Sequence, residues 1–142
     1  MLIGEYQHSI DGKGRVAIPA KFRRDLEGGV VVTKGLDNCL FVYPKDVWVK
    51  QAEKMSGLSA NQANSRAYGR FILGGATDSE FDGQGRILIS DYLRSYAGIK
   101  EKVVIVGLYN RVEIWDEAKW HEYKSHMEKN AEKIAEDLGQ MA

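Results

Sequence analysis

The feature that most constrains this chain is an internal repeat, because a unit used twice must find equivalent surroundings twice. Residues 11–23 read DGKGRVAIPAKFR and residues 82–94 read DGQGRILISDYLR. Six of these thirteen positions are identical: Asp11/Asp82, Gly12/Gly83, Gly14/Gly85, Arg15/Arg86, Ile18/Ile89 and Arg23/Arg94. After a one-residue insertion in the second copy, VVTKGLDNCLFVYPKDVW (31–48) aligns with VVIVGLYNRVEIWDEAKW (103–120). That block keeps Gly35/Gly107, Leu36/Leu108, Asn38/Asn110 and Trp48/Trp120. Two matching blocks in the same order, at a nearly constant offset, mark a duplication.

Each copy predicts the same succession of elements. A short strand (5–10, and 76–81) meets a Gly-rich turn and then an alternating strand, with Val16 and Ile18 in one copy and Ile87 and Ile89 in the other. Asp-Gly between strand-like runs is a hairpin signal, because these residues tolerate positive φ. A short helix follows, with Pro19 suited to its first turn in copy one and Ser90 to an N-cap in copy two. Two strands then form a hairpin, 30–33 with 40–43 and 103–106 with 112–115, around Gly35 and Asn38 or Gly107 and Asn110. A helix from near Pro44 to near Gly57 closes the first copy, and a second, capped by Ser59 and reaching about Leu73, connects the copies. In the last helix, from near Asp116, residues Trp120, Tyr123, Met127, Ala131, Ile134 and Leu138 form one apolar stripe that packs on the core or on a neighbouring subunit. The chain divides into repeat one (1–57), a connecting helix (58–75), repeat two (76–120) and a C-terminal helix (121–142). Neither unit covers its own apolar face, so the two are expected to pack as one pseudo-twofold α+β domain.

Composition narrows the function. The 142 residues suffice for a core without staples, and Cys39 is the single cysteine, so a disulfide scaffold is excluded and a reducing compartment is expected. The N-terminus lacks a signal-peptide pattern and no apolar stretch is long enough to span a membrane, so a cytoplasmic protein without a membrane partner is expected. Formal net charge is zero, yet residues 1–75 carry 11 Lys/Arg against 7 Asp/Glu while 76–142 carry 9 against 13. That asymmetry permits a basic surface on a neutral molecule.

Enzyme and metal readings find little. Asp78, Glu80, Asp82 and Gly83 mimic the start of a calcium loop, but the position that must supply a bidentate carboxylate is Ile89. His8, His121 and His126 lack metal-ligand spacing, and there is no nucleophile elbow or phosphate-binding loop. Cys39 has no recognisable base beside it. Tyr43, Trp48, Trp115 and Trp120 occupy repeated positions and read as core. No catalytic residue, metal, cofactor or small-molecule substrate is expected.

The repeated Asp-Gly-x-Gly-Arg turn carries the chemistry. A twisted two-stranded ribbon can enter the DNA major groove, and an arginine at its turn can bond guanine O6 and N7 through its planar fork. Arg15 and Arg86 are the candidates for that role, beside Lys13 as a phosphate or base contact and Gln84 as a reader of adenine or a less charged support. Gly12, Gly14, Gly83 and Gly85 keep side chains away from the phosphates. Asp11 and Asp82 would be repelled by phosphate, so they hold the turn or aim the arginine. Arg23 and Arg94 read equally as structural ion pairs or as phosphate contacts, and Arg66 with Arg70 as a solvated helix face.

The run DGKGRVAIP resembles the signature of the AbrB-like swapped-hairpin family: Asp, then Gly-Arg, then alternating apolars and Pro. With the segments GLDNCLFVYP and VEIWDEAKW, residues 1 to about 120 resemble the MraZ family, which carries two AbrB-like (SpoVT-AbrB) repeats. The resemblance implies a nucleoid-associated transcription regulator that forms ring-like homo-oligomers. It also implies binding to short repeated double-stranded DNA boxes upstream of a cell-division and cell-wall gene cluster. The family's Asp-x-x-x-Arg motif maps onto Asp11 with Arg15 and Asp82 with Arg86. The other class to weigh is a protein-binding module of the antitoxin type, which usually has one copy and a disordered tail; two copies and a helical C-terminus favour the DNA-binding regulator.

Overall fold

The runs Val30-Val31-Val32 and Val103-Val104-Ile105-Val106 are apolar at consecutive positions, the pattern of strands covered on both faces. In the computed structural model, which describes residues 1–141, they lie inside a six-stranded antiparallel sheet. Its order is β1 (Leu2–Ser9), β7 (Lys102–Tyr109), β8 (Val112–Asp116), β4 (Leu40–Pro44), β3 (Val30–Lys34) and β5 (Thr77–Ser79). A second sheet is a two-stranded ribbon of β2 (Arg15–Ala17) and β6 (Arg86–Leu88). With helices between and after the strands, the architecture is α+β.

The strands of the repeats interleave. β1 pairs with β7 from Leu2 opposite Tyr109 to Ser9 opposite Lys102. β5 of the second repeat pairs with β3 of the first. The Asp-Gly turns do reverse the chain, closed by Asp11 N–H to Arg15 O and Asp82 N–H to Arg86 O, each 2.9 Å. The expected local hairpin nevertheless stops at the Ile10–Val16 bridge, and the ladder of β2 is made with β6. Burial explains this: Val16 and Ile87 sit opposite one another in the ribbon and are both buried, so crossing covers both at once. Thus β2 and β3 follow one another around a helix but fall in different sheets. The other two hairpins, β3–β4 and β7–β8, form locally as their turns predict, with Asp37 and Asn38 both at positive φ.

The helices differ from expectation at their ends. α1 (Ala20–Arg23) begins after Pro19 and continues as a 3-10 turn, Arg24–Leu26. α4 (Asp91–Ala97) begins after Ser90, but Ser90 makes no capping bond; its Oγ is buried without a partner among the described residues. α2 (Lys45–Ser56) runs between Pro44 and Gly57 as expected. α3 (Ala63–Ile72) starts later than a Ser59 cap would set it, because Ser59 Oγ accepts the Asn61 N–H at 3.2 Å in the preceding turn. The single C-terminal stripe is broken. α5 (Glu117–Lys129) begins after Asp116 as expected but ends at Asn130, whose Nδ2 donates to His126 O at 2.9 Å, and α6 (Ala131–Met141) starts anew. Trp120 is buried and Tyr123 and Met127 pack beside it, whereas Ile134 and Leu138 are exposed. Ala142, the last residue of the expected helix, lies outside the described residues.

Two cores result. On one face of the large sheet, Val103, Ile105, Val112 and Ile114 join Val16, Ile18, Phe22, Ile87, Ile89 and Leu93, so both repeats contribute to one cluster. Removing Leu93 beyond Cβ would cost about 2–5 kcal/mol there. On the other face, Cys39, Val104, Val106, Trp115 and Trp120 form a smaller cluster under α5. Among the described residues, no helix is long and apolar enough to cross a membrane.

Candidate nucleic-acid interface

The ribbon places the two turns. With Val16 and Ile87 turned into the core, alternation sends Arg15, Ala17, Arg86 and Leu88 to the outward face. Registry sets Arg15 opposite Leu88 and Ala17 opposite Arg86. The two arginines therefore share one surface, and Nη1 of Arg86 comes within 3.7 Å of Asp11 Oδ2 across the repeats. Lys13 and Gln84, at the tips, are exposed. Ala17 and the half-exposed Leu88 belong to the same face; the period-2 alternation that marked Arg15 and Arg86 also points to them.

Each aspartate organises its own turn. Oδ1 of Asp11 accepts the N–H of Lys13 at 3.0 Å and of Arg15 at 2.9 Å, and Oδ2 accepts Nε of Arg15 at 2.7 Å. In the second turn Asp82 accepts the N–H of Gln84 and of Arg86, both at 2.9 Å, and Nε of Arg86 at 2.8 Å. The backbone N–H of Arg15, followed by its guanidinium and the N–H of Lys13, draws the Asp11 carboxyl down to about 2. The backbone N–H of Arg86 leads the same downward shift at Asp82. Both carboxylates are thus ionised at any physiological pH. Nε is engaged, while the terminal amino groups of the part-exposed Arg15 make no hydrogen bond among the described residues. A guanidinium held at its root with its far edge free can grip a planar acceptor pair.

The glycines divide into two kinds. A Cβ on Gly12 or Gly83 would meet nothing within 4 Å. Gly14 and Gly85 stand at φ 85 and φ 74, where side-chain-bearing residues are rare. Their backbones also tie the turns to the opposite repeat: Gly14 O accepts the Ile89 N–H at 2.8 Å and Gly85 O accepts the Ile18 N–H at 3.1 Å. The need for glycine at these two positions arises inside the fold, from conformation and close packing, as well as from any clearance at the surface.

Other polar candidates lie elsewhere. Arg66 Nη1 donates to Ala60 O at 3.0 Å, which closes the turn before α3. Cys39 is buried, its thiol donates to Leu36 O at 3.2 Å, and burial pushes its pKa upward, so it is poorly suited to nucleophilic work. Arg111 bonds the buried Glu113 and lies over the Phe41 ring, while Trp115 Nε1 donates to Glu113 at 3.0 Å. That network serves the smaller core.

Known proteins place the same pattern in a family. The model of the family described as "MraZ protein, putative antitoxin-like" matches twice in succession, over residues 1–71 and 72–141. The transcriptional regulator MraZ of Caldanaerobacter subterraneus subsp. tengcongensis is 50% identical over 138 residues, 97% of this chain and 96% of that protein. Its counterpart from Halothermothrix orenii is 49% identical over 142 residues, 98% and 99% of the two chains. That from Natranaerobius thermophilus is 48% identical over 138 residues, 97% and 96%. These relatives are regulators of transcription and not enzymes, and with matches of this extent the chain belongs to the MraZ family.

Proposed function

We propose that the protein is a sequence-specific, double-stranded DNA-binding regulator that reads its site through the two Asp-Gly-x-Gly-Arg turns. The observation that carries this reading is the placement of Arg15 and Arg86 on one outward face of one ribbon, each held by its aspartate. Arg15 and Arg86 contact guanine edges in the major groove, Lys13 supplies a phosphate or base contact, and Gln84 a neutral one. Asp11 and Asp82, with Gly12, Gly14, Gly83 and Gly85, shape the turns. The interleaved strands suit an AbrB-like swapped-hairpin arrangement with pseudo-twofold symmetry, divided as repeat one (1–57), connector (58–75), repeat two (76–120) and C-terminal helix.

The protein works as a ring-like homo-oligomer on repeated boxes upstream of its own cell-division and cell-wall gene cluster, in the cytoplasm and at the nucleoid. Two arginines per chain offer few base contacts, so several linked sites are needed for useful affinity. The test is a gel-shift titration against the chain's own upstream region, with one, two or four boxes and a scrambled control, beside light scattering on the free protein. Affinity should rise steeply with box number. Equal affinity for one box and four would remove the oligomer from the reading, and equal affinity for native and scrambled DNA would remove sequence specificity.

A further inference from the structure

Arg23 on α1 and Arg94 on α4 occupy equivalent places in the repeats, and each lies behind the turn of the other. A Cβ on Gly14 would fall on Nη1 of Arg94 and come 2.8 Å from its Cζ. A Cβ on Gly85 would fall on Nη1 of Arg23, 2.8 Å from its Cζ and 3.0 Å from its Cδ. The absent side chain of each turn glycine is thus replaced by a guanidinium from the opposite repeat. Arg23 Nε is buried without a hydrogen-bond partner among the described residues. Leaving such a donor unpaired is unfavourable, so the side chain is held there by what it packs against. A guanidinium is planar and weakly hydrated, which suits it to lie against a bare peptide as an ammonium would not.

We propose that Arg23 and Arg94 are crossed positioning residues: Arg94 sets the first turn, which carries Arg15, and Arg23 sets the second, which carries Arg86. The inference rests on the reading of those turns as the DNA-contacting elements. Within itself each turn has its aspartate bonds and two backbone bonds: Asp11 N–H to Arg15 O and Gly14 N–H to Asp11 O in the first, Asp82 N–H to Arg86 O and Gly85 N–H to Asp82 O in the second, at 2.9 and 3.0 Å in each. Those bonds fix its shape but not its tilt on the molecule. Tilt comes from behind, from the Ile89–Gly14 and Ile18–Gly85 bonds and from the arginine wedged against the glycine. The two wedges are held unequally. Arg94 is bonded to Asp91 on its own helix, whereas the position matching Asp91 in the first repeat is Ala20.

Arg94→Met and Arg23→Met keep much of the buried stem and remove the guanidinium. In the free protein, amide exchange at Lys13, Gly14 and Arg15 should accelerate about tenfold in Arg94→Met, with Gln84, Gly85 and Arg86 unchanged. Arg23→Met should give the mirror image, and Arg94→Lys, which lacks the plane, should behave as Arg94→Met. Asp91→Ala should loosen the first turn alone. Faster exchange at both turns in each variant, or at neither, overturns the crossed assignment. Should Arg94→Met fail to fold, Arg94→Lys carries the same requirement.

A cycle on native box DNA supplies the second readout. Arg94→Met should add less than about a twofold loss to Arg15→Ala but its full loss to Arg86→Ala. Equal losses on both backgrounds overturn the inference. Failure of the wild type to prefer native DNA would overturn the proposed function instead, and the exchange experiment would still decide the positioning.

Discussion

At the tip of the first repeat, Asp11 draws in the N–H groups of Lys13 and Arg15 and the Nε of Arg15; at the tip of the second, Asp82 does the same for Gln84 and Arg86. Corresponding distances agree within 0.1 Å. Around these matched turns nearly everything else has diverged. Lys13 corresponds to Gln84, Pro19 to Ser90, and Ala20 to Asp91. One helix lasts four residues and slides into a 3-10 turn, while the other runs seven and stops at Gly98 in the left-handed region. What both copies retain is the carboxylate, the positive-φ glycine, the arginine whose Nε that carboxylate binds, and the arginine packed behind the glycine of the opposite turn. What differs is charge at the tip and the means of ending the helix. The comparison separates aim, which is shared, from electrostatic attraction, which is not.

The largest effect should come from removing the shared element. Arg15→Ala should cost on the order of 1–3 kcal/mol for each engaged site, and an assembly that uses several sites should lose nearly all preference for native over scrambled DNA. Arg15→Lys keeps the charge without the fork, so it should retain nonspecific binding and lose the preference. Arg86→Ala and Arg86→Lys should match them. Affinities for native and scrambled DNA, on folded variants of wild-type size, give the answer. A silent Arg86 beside an essential Arg15 would break the equivalence of the repeats at the point where they look most alike.

A smaller but still large effect is expected on stability. Alanine at Gly14 meets positive φ, the Arg94 guanidinium and Ile89 O at 2.8 Å, a backbone atom that cannot step aside. Gly14→Ala should cost roughly 2–4 kcal/mol. At Gly85 the nearest atoms are all side-chain atoms of Arg23, so Gly85→Ala should cost less, roughly 1–3 kcal/mol. Gly12→Ala and Gly83→Ala, with open space around them, should stay within about 0.5 kcal/mol. Urea unfolding of the four variants orders them, and a cost at Gly12 equal to that at Gly14 would contradict the packing argument.

The sequence legibly carried the repeat, the β3–β4 and β7–β8 hairpins and the α2 boundaries, since each rests on period, turn chemistry or a Pro and Gly at the right ends. It did not carry the pairing of β1 with β7 or of β2 with β6. Alternation says which face of Val16 or Ile87 is buried, not which strand will cover it. Ser90 looked like a cap because a serine before a helix usually is one; here burial turns its hydroxyl away from that bond. The spacing from Trp120 to Leu138 reads as one stripe because periodicity continues through Asn130, where the helix is interrupted. The recurrence of Arg23 and Arg94 was visible, but their contact with the opposite turn depends on the crossing of β2 and β6.

Acid should expose the carboxylates that both turns share. Asp11 titrates in the native protein at about 2, below the roughly 3.9 of an unfolded aspartate. A carboxyl with a lowered native pKa favours folding most above its unfolded pKa, and that contribution is lost as pH falls from about 4 through about 2. Protection of the Lys13 and Arg15 amides should fall across that window and stay flat from pH 5 to 8. Asp82 is shifted in the same direction, so Gln84 and Arg86 should follow. Asp11→Asn keeps an oxygen for the backbone and loses the charge opposite Nε. It should leave the turn closed and Arg15 less constrained, with no acid transition at Lys13.

The smallest effect should come from the tip charges, where the repeats differ. Lys13→Gln makes the first tip like the second, and Gln84→Lys does the reverse. Neither residue bonds its own turn through its side chain, so both variants should fold with wild-type stability. If Lys13 neutralises one phosphate, its loss should reduce the slope of log affinity against log salt by about 0.9 per engaged site. The loss of affinity should be alike on native and scrambled DNA. Gln84→Lys should steepen the slope by the same amount if the second tip comes equally close to the backbone. The pair of slopes therefore measures whether the two turns, alike in aim, also lie at the same depth on the duplex. A change in base preference on Lys13→Gln, with the slope unmoved, would make Lys13 a reader of bases and carry the difference between the repeats from attraction into recognition.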